Sequence, residues 1–169
     1  MRRAWGPFQL VMRWANLVTG YVSALLIVFS TVAISFEVVA RYYFRAPHDW
    51  HLELNIFLLI ASTFMAAAFT QEGRAHVGIE VLESMLSPRW NWWRHLLADI
   101  LSAVFCAFIS FYVWRYFFEA WEGGWVTDSI WAPRLWIPYF FMSLGMTTLT
   151  LQFLVQIIDD LFAPLGRKE

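Results

Sequence analysis

The sequence predicts an all-α membrane protein with four transmembrane helices plus a short amphipathic interfacial helix between the second and third spans, all within one integral membrane domain over residues 1–169. Three observations predict it. Of the 169 residues 60% are hydrophobic and only 15% charged, which leaves too little polar surface to clothe a water-soluble domain. Four runs, near residues 14–36, 52–70, 96–118 and 137–158, meet the roughly 20 apolar residues needed to cross about 30 Å of hydrocarbon at about 1.5 Å per residue. Backbone polar groups in lipid must pair within the chain, so such uninterrupted runs are helices.

The first span follows Met1, Arg2 and Arg3, a start shared with secretory signals. A signal core is roughly 7 to 15 residues and ends at a small-residue cleavage site, whereas this run continues to Phe36, so it reads as a retained span. Asn16, Ser23, Ser30 and Glu37 recur every seven residues, which puts them on one stripe of the helix and predicts that this stripe faces protein. Arg41 lies one turn beyond Glu37, in the favourable acid-before-base order. Two readings of that pair stay open: an ion pair closing the helix end, or a contact with a partner subunit.

In the connection before the second span, Pro47 breaks the chain, Asp49 suits a helix cap, Glu53 falls in the positive first turn and Trp50 suits the headgroup level. After that span, Gly73 reads as a helix stop. Val77, Val81, Leu82, Met85 and Leu86 then recur at helical spacing, opposite Glu80, Glu83, Ser84 and Ser87, which predicts an interfacial helix over about residues 76–87 that ends before Pro88. On the third span Asp99, Ser102, Cys106 and Ser110 share a face, beside Ala103 and Ala107 in a spacing that lets backbones approach closely. Thr147, Thr148, Thr150, Gln152 and Gln156 make the fourth span unusually polar and point to hydrogen bonds between helices.

Arg2, Arg3, Arg13, Arg74, Arg89, Arg94, Arg167 and Lys168 fall on one side of a four-span thread, and Arg41, Arg45, Arg115 and Arg134 on the other. The excess of positive charge predicts both termini in the cytoplasm. A net charge of −1 with no basic cluster gives no case for a nucleic-acid partner. The single cysteine, Cys106, excludes an intramolecular disulfide and a cysteine-based metal site. His48, His51, His76 and His95 all sit at span boundaries, too shallow for a haem held between spans, and His48 with His51 lacks a third metal ligand. There is no phosphate loop, nucleophile elbow or zinc-protease motif, so neither catalysis nor a cofactor is expected.

Arg41, Tyr42, Tyr43 and Phe44, then Pro47, Trp50, Glu53 and Leu54, and after the second span Gln71, Glu72, Gly73, His76 and Val77, together with Trp136, Ile137 and Pro138 at the start of the last span, carry a resemblance. In this order and spacing, over nearly the whole chain, the sequence resembles the small membrane subunit (DctQ type) of tripartite ATP-independent periplasmic, or TRAP, transporters. The resemblance implies a scaffold in the bacterial inner membrane. It would pair with a large multispanning subunit that carries substrate and coupling ion, and with a soluble periplasmic substrate-binding protein. Glu37, Arg41, Trp50, Glu53, Glu72, Gly73 and His76 become candidates for the subunit interface, and Glu119, Glu122, Asp128 and Arg134 for docking the binding protein. One departure is Gln71, where a basic residue is expected. A membrane anchor of a respiratory oxidoreductase is the alternative, since such anchors are also small helical bundles. A compact autonomous exporter would need an acid deeper in the membrane than Glu37.

Overall fold

In hydrocarbon there is little hydrophobic force between helices, so close packing and polar contacts decide which spans touch. The computed structural model describes residues 2–44, 50–73 and 88–162. These form four helices: α1 (Arg2–Phe44), α2 (Trp50–Glu72), α3 (Pro88–Glu122) and α4 (Trp136–Phe162). All four are long and apolar enough to cross a bilayer. With 43 residues α1 reaches about 65 Å, roughly twice the hydrocarbon thickness, so it projects beyond the membrane. The expected interfacial helix at 76–87 lies outside the described residues.

The helices stand in an open row, α1 along α2, α2 along α4 and α4 along α3, with α1 and α4 touching only slightly. Contacts fix the directions. Ser23 bonds to Ser62 and Ser30 to Asn55, so α1 and α2 are antiparallel. Gly145 lies on Phe64 and Gln156 on Gln71, so α2 and α4 run parallel. Trp92 reaches Asp160 and Tyr116 stacks on Tyr139, which makes α3 antiparallel to α4. The start of α1 and the end of α4 therefore share one end of the row, the terminal end, and the end of α1, the start of α2 and the α3–α4 connection share the other, the loop end.

An open row buries little. Trp14, Leu25, Val32 and Phe36 on α1, with Leu101, Phe105, Phe108 and Phe111 on α3, are exposed along whole helix faces, as lipid or a membrane partner requires. The core that exists is built by small residues. A Cβ on Gly145 would collide with the backbone of Phe64, 2.6 Å from its carbonyl carbon, so glycine is what lets α4 lie against α2. Ala103 and Cys106 of α3 pack with Met146 and Phe153 of α4. Ala107 differs from the expected small-residue pair: it is exposed, because the buried face of α3 runs through Asp99, Ala103, Cys106, Ser110 and Val113 at spacings of three and four, and position 107 falls outside that stripe.

At the loop end α3 closes with Gly124 at φ +60°, and the N–H of Trp125 donates to the carbonyl of Ala120 at 3.1 Å, a Schellman cap. The connection to α4 is then held by a bridge between Val126 and Arg134, with Leu135 N–H donating to Trp125 O at 2.9 Å. Ala132 takes φ +46°, an uncommon conformation for a side-chain-bearing residue, and its N–H donates to Ser129 Oγ at 3.1 Å. Trp131 in this loop meets Trp50 edge-on at 6.3 Å, so the two loop-end regions touch. Pro138 sits in the first turn of α4, where a missing N–H costs nothing.

Candidate functional site

The heptad stripe of α1 becomes a polar seam against its neighbours. Asn16 is 0% exposed, Ser23 and Ser30 are each 2% exposed, and Glu37 is also buried. Small residues follow the stripe toward the loop end, with Ala33 partly covered and Ala40 buried, so the backbones come near enough for short side chains to reach across. Ser23 Oγ donates to the carbonyl of Ser62 at 2.6 Å, and Ser30 Oγ to Asn55 Oδ1 at 2.9 Å. The Asn55 amide in turn donates to the carbonyl of His51 at 2.8 Å.

Each end of the seam carries charge. At the loop end Glu37 holds Arg41 at 3.2 Å through one oxygen and stands 3.1 Å from His51 Nδ1 through the other. Trp50 stacks on the His51 ring with centroids 3.7 Å apart. A cleft of about 490 Å³ opens here between α1 and α2, with Glu37, His51 and Asn55 among its lining and Ile34, Val38 and Leu52 as apolar walls. At the terminal end the Asn16 amide donates to Gln152 Oε1 at 2.8 Å and Glu72 Oε2 at 3.0 Å, tying three helices together. Gln71 and Gln156 exchange bonds beside it: the Gln71 amide donates to Gln156 Oε1, and the Gln156 amide to the Gln71 carbonyl, both at 2.8 Å.

The polar residues of α4 divide. Thr147 receives Trp114 Nε1 at 2.9 Å and lies 3.0 Å from Ser110 Oγ, while Gln152 and Gln156 reach α1 and α2. Thr148 and Thr150 instead bond back to carbonyls of their own helix.

The subunit-interface candidates thus fall into distinct places. Glu37 is paired inside the chain, whereas the Arg41 guanidinium and the Trp50 ring are exposed. Glu53 lies in the first turn of α2, and its buried Oε2 accepts no hydrogen bond among the described residues. Glu72 belongs to the terminal-end cluster, Gly73 forms the turn after α2, and His76, like His48, Pro47 and Asp49, lies outside the described residues. Glu119, Glu122, Asp128 and Arg134 are all exposed at the loop end, with Glu119 held 3.5 Å from Arg115. His51 is the residue whose role the sequence hid. With His48 it makes only a histidine pair that lacks a third metal ligand, but in the structure its Nδ1 stands 3.1 Å from Glu37 Oε2, and the signal that could have paired them is the cost of burying a carboxylate without polar company.

Four helices long and apolar enough to cross a bilayer, broad exposed apolar flanks, and polar side chains that bond from one helix to the next define a class: a multispanning membrane component. The family is shown by comparison. A family model described as Tripartite ATP-independent periplasmic transporters, DctQ component, matches residues 30–163, so the chain belongs to that family, the small membrane subunits of TRAP transporters. No curated protein matches it. Membership places the chain among transporter components and displaces the oxidoreductase anchor.

Proposed function

We propose that this chain is a static frame for its transporter: it sits in the bacterial inner membrane with both termini cytoplasmic, holds the large multispanning subunit, and helps receive the periplasmic substrate-binding protein during ion-gradient-driven solute uptake. The observation that carries this reading is the open row. Four spans locked side by side by internal polar bonds leave broad apolar faces for another membrane protein. The subunit contacts are assigned to Arg41, Trp50 and Glu53 at the loop end and to Gly73 and His76 in the segment of sequence after α2, with Glu37 acting through Arg41 and His51, while Glu72 is held inside the chain by Asn16.

The exposed acids Glu119, Glu122 and Asp128, with Arg134, are assigned to the binding protein. They surround a loop that is already shaped by its bridge and cap, so docking there orders little new chain. The reading is tested by copurification and transport together. Arg41→Ala with Glu53→Ala should reduce recovery of the large subunit on a tag carried by this chain. Reversing the charges of Glu119, Glu122 and Asp128 should leave that recovery intact and raise the concentration of binding protein needed for half-maximal uptake. Normal copurification in the first case and normal uptake in the second would refute the two assignments separately.

A further inference from the structure

At the terminal end α1, α2 and α4 enclose a second cleft, of about 390 Å³, lined by Gln9, Arg13, Glu72, Gln152, Gln156 and Asp159 among others. A notch in an apolar row would be expected to have apolar walls, yet most of these side chains are polar. Its depth is that of the headgroups: Arg13 is followed by the exposed Trp14, and Trp92 donates to the Asp160 carbonyl at the same end of the row.

The donors and acceptors in the cleft do not balance. Both bonds of the Asn16 amide nitrogen are used on Glu72 Oε2 and Gln152 Oε1, and Gln9 is used on Asp159. Asn16 Oδ1, in a fully buried residue, receives no donor among the described residues. Glu72 Oε1 has Arg13 Nε at 3.9 Å, beyond hydrogen-bond distance, and the Arg13 side chain is 77% exposed. Among the described residues, a carboxylate oxygen short of a donor thus stands beside a guanidinium short of an acceptor. Left to themselves, an exposed pair at this separation contributes little.

We propose that this cleft binds the headgroup of a zwitterionic phospholipid with a primary ammonium, of the phosphatidylethanolamine class, from the leaflet on the terminal side. The ammonium donates to Glu72 Oε1, and the phosphate oxygens accept from Arg13. The acyl chains follow α1 into the bilayer. A quaternary choline headgroup carries the same charge but has no N–H to give, and a glycerol headgroup brings no cation, so the site selects by hydrogen bonding as well as charge. The bound lipid would close the seam that Asn16 opens, stiffening the end at which α1 meets α4.

The test is native mass spectrometry of the full chain, alone and with the large subunit, titrated with phosphatidylethanolamine, phosphatidylcholine and phosphatidylglycerol of identical acyl chains. The ethanolamine lipid should be retained roughly tenfold better than the choline lipid, the equivalent of one charge-assisted hydrogen bond. Glu72→Gln should bring the two to near equality, and Arg13→Ala should weaken all three. Thermal unfolding in the same detergent checks that each variant folds; should Arg13→Ala not fold, Arg13→Lys retains the charge and should retain the ethanolamine preference. Equal retention of choline and ethanolamine lipids by the unaltered chain, or an undiminished preference in Glu72→Gln, would overturn the proposal. So would retention by the isolated chain that vanishes on assembly, since a protein side chain would then be the occupant.

Discussion

Along α1 and α2 the seam is written in polar residues, Asn16, Ser23, Ser30 and Glu37 against Glu72, Ser62, Asn55 and His51. Between α3 and α4 it is written in small and aromatic ones, Ala103 and Cys106 against Met146 and Phe153, with Phe117 beside Phe140 and Tyr116 on Tyr139 toward the loop end. Polar contacts at fixed sevenfold spacing fix register, because a one-residue slip would leave each donor in hydrocarbon. Aromatic packing tolerates small shifts and supplies contact area instead. The longest and least covered helix, α1, is therefore held by direction-specific bonds, while α3 is held mainly by fit.

The comparison breaks most sharply at Gly145, which belongs to neither seam but joins them. Gly145→Leu would drive a side chain into the Phe64 backbone and should cost about 3 kcal/mol or more, read as lost monodisperse protein or a large fall in unfolding temperature in detergent. Ala107→Leu, the same kind of enlargement on an exposed face, should leave that temperature unchanged. Next in size, Asn16→Leu removes two bonds and strands Gln152, so about 1 to 2 kcal/mol should be lost in the same unfolding assay. Smallest is Ser110→Ala, expected near ~0.6 kcal/mol, because Trp114 still donates to Thr147. An effect at Ser110 as large as at Asn16 would erase the distinction between the seams.

Much of this is legible in the sequence. The four spans follow from bilayer thickness, and the burial of the α1 stripe follows from its period, since polar groups repeating on one face of a spanning helix have nowhere to go but protein. The order of the row is not legible. Hydropathy marks which segments enter lipid and is silent on which of them touch, and the contact that sets α4 beside α2 is glycine against a backbone carbonyl. Part of the seam is hidden for the same reason: Ser23 bonds to the carbonyl of Ser62, an acceptor that every residue carries. Of the candidate site, Arg41 and Trp50 can be marked from the resemblance, but the pairing of Glu37 with His51 needs the helix–helix angle that only packing sets.

The central claim is that this chain frames a transporter and moves nothing by itself. Proteoliposomes under an imposed ion gradient test it most directly, loaded with this chain alone or with this chain, the large subunit and the binding protein together. Accumulation of solute is expected only in the full set, with the chain alone at the level of empty vesicles. Gradient-driven flux through the chain alone would contradict the account.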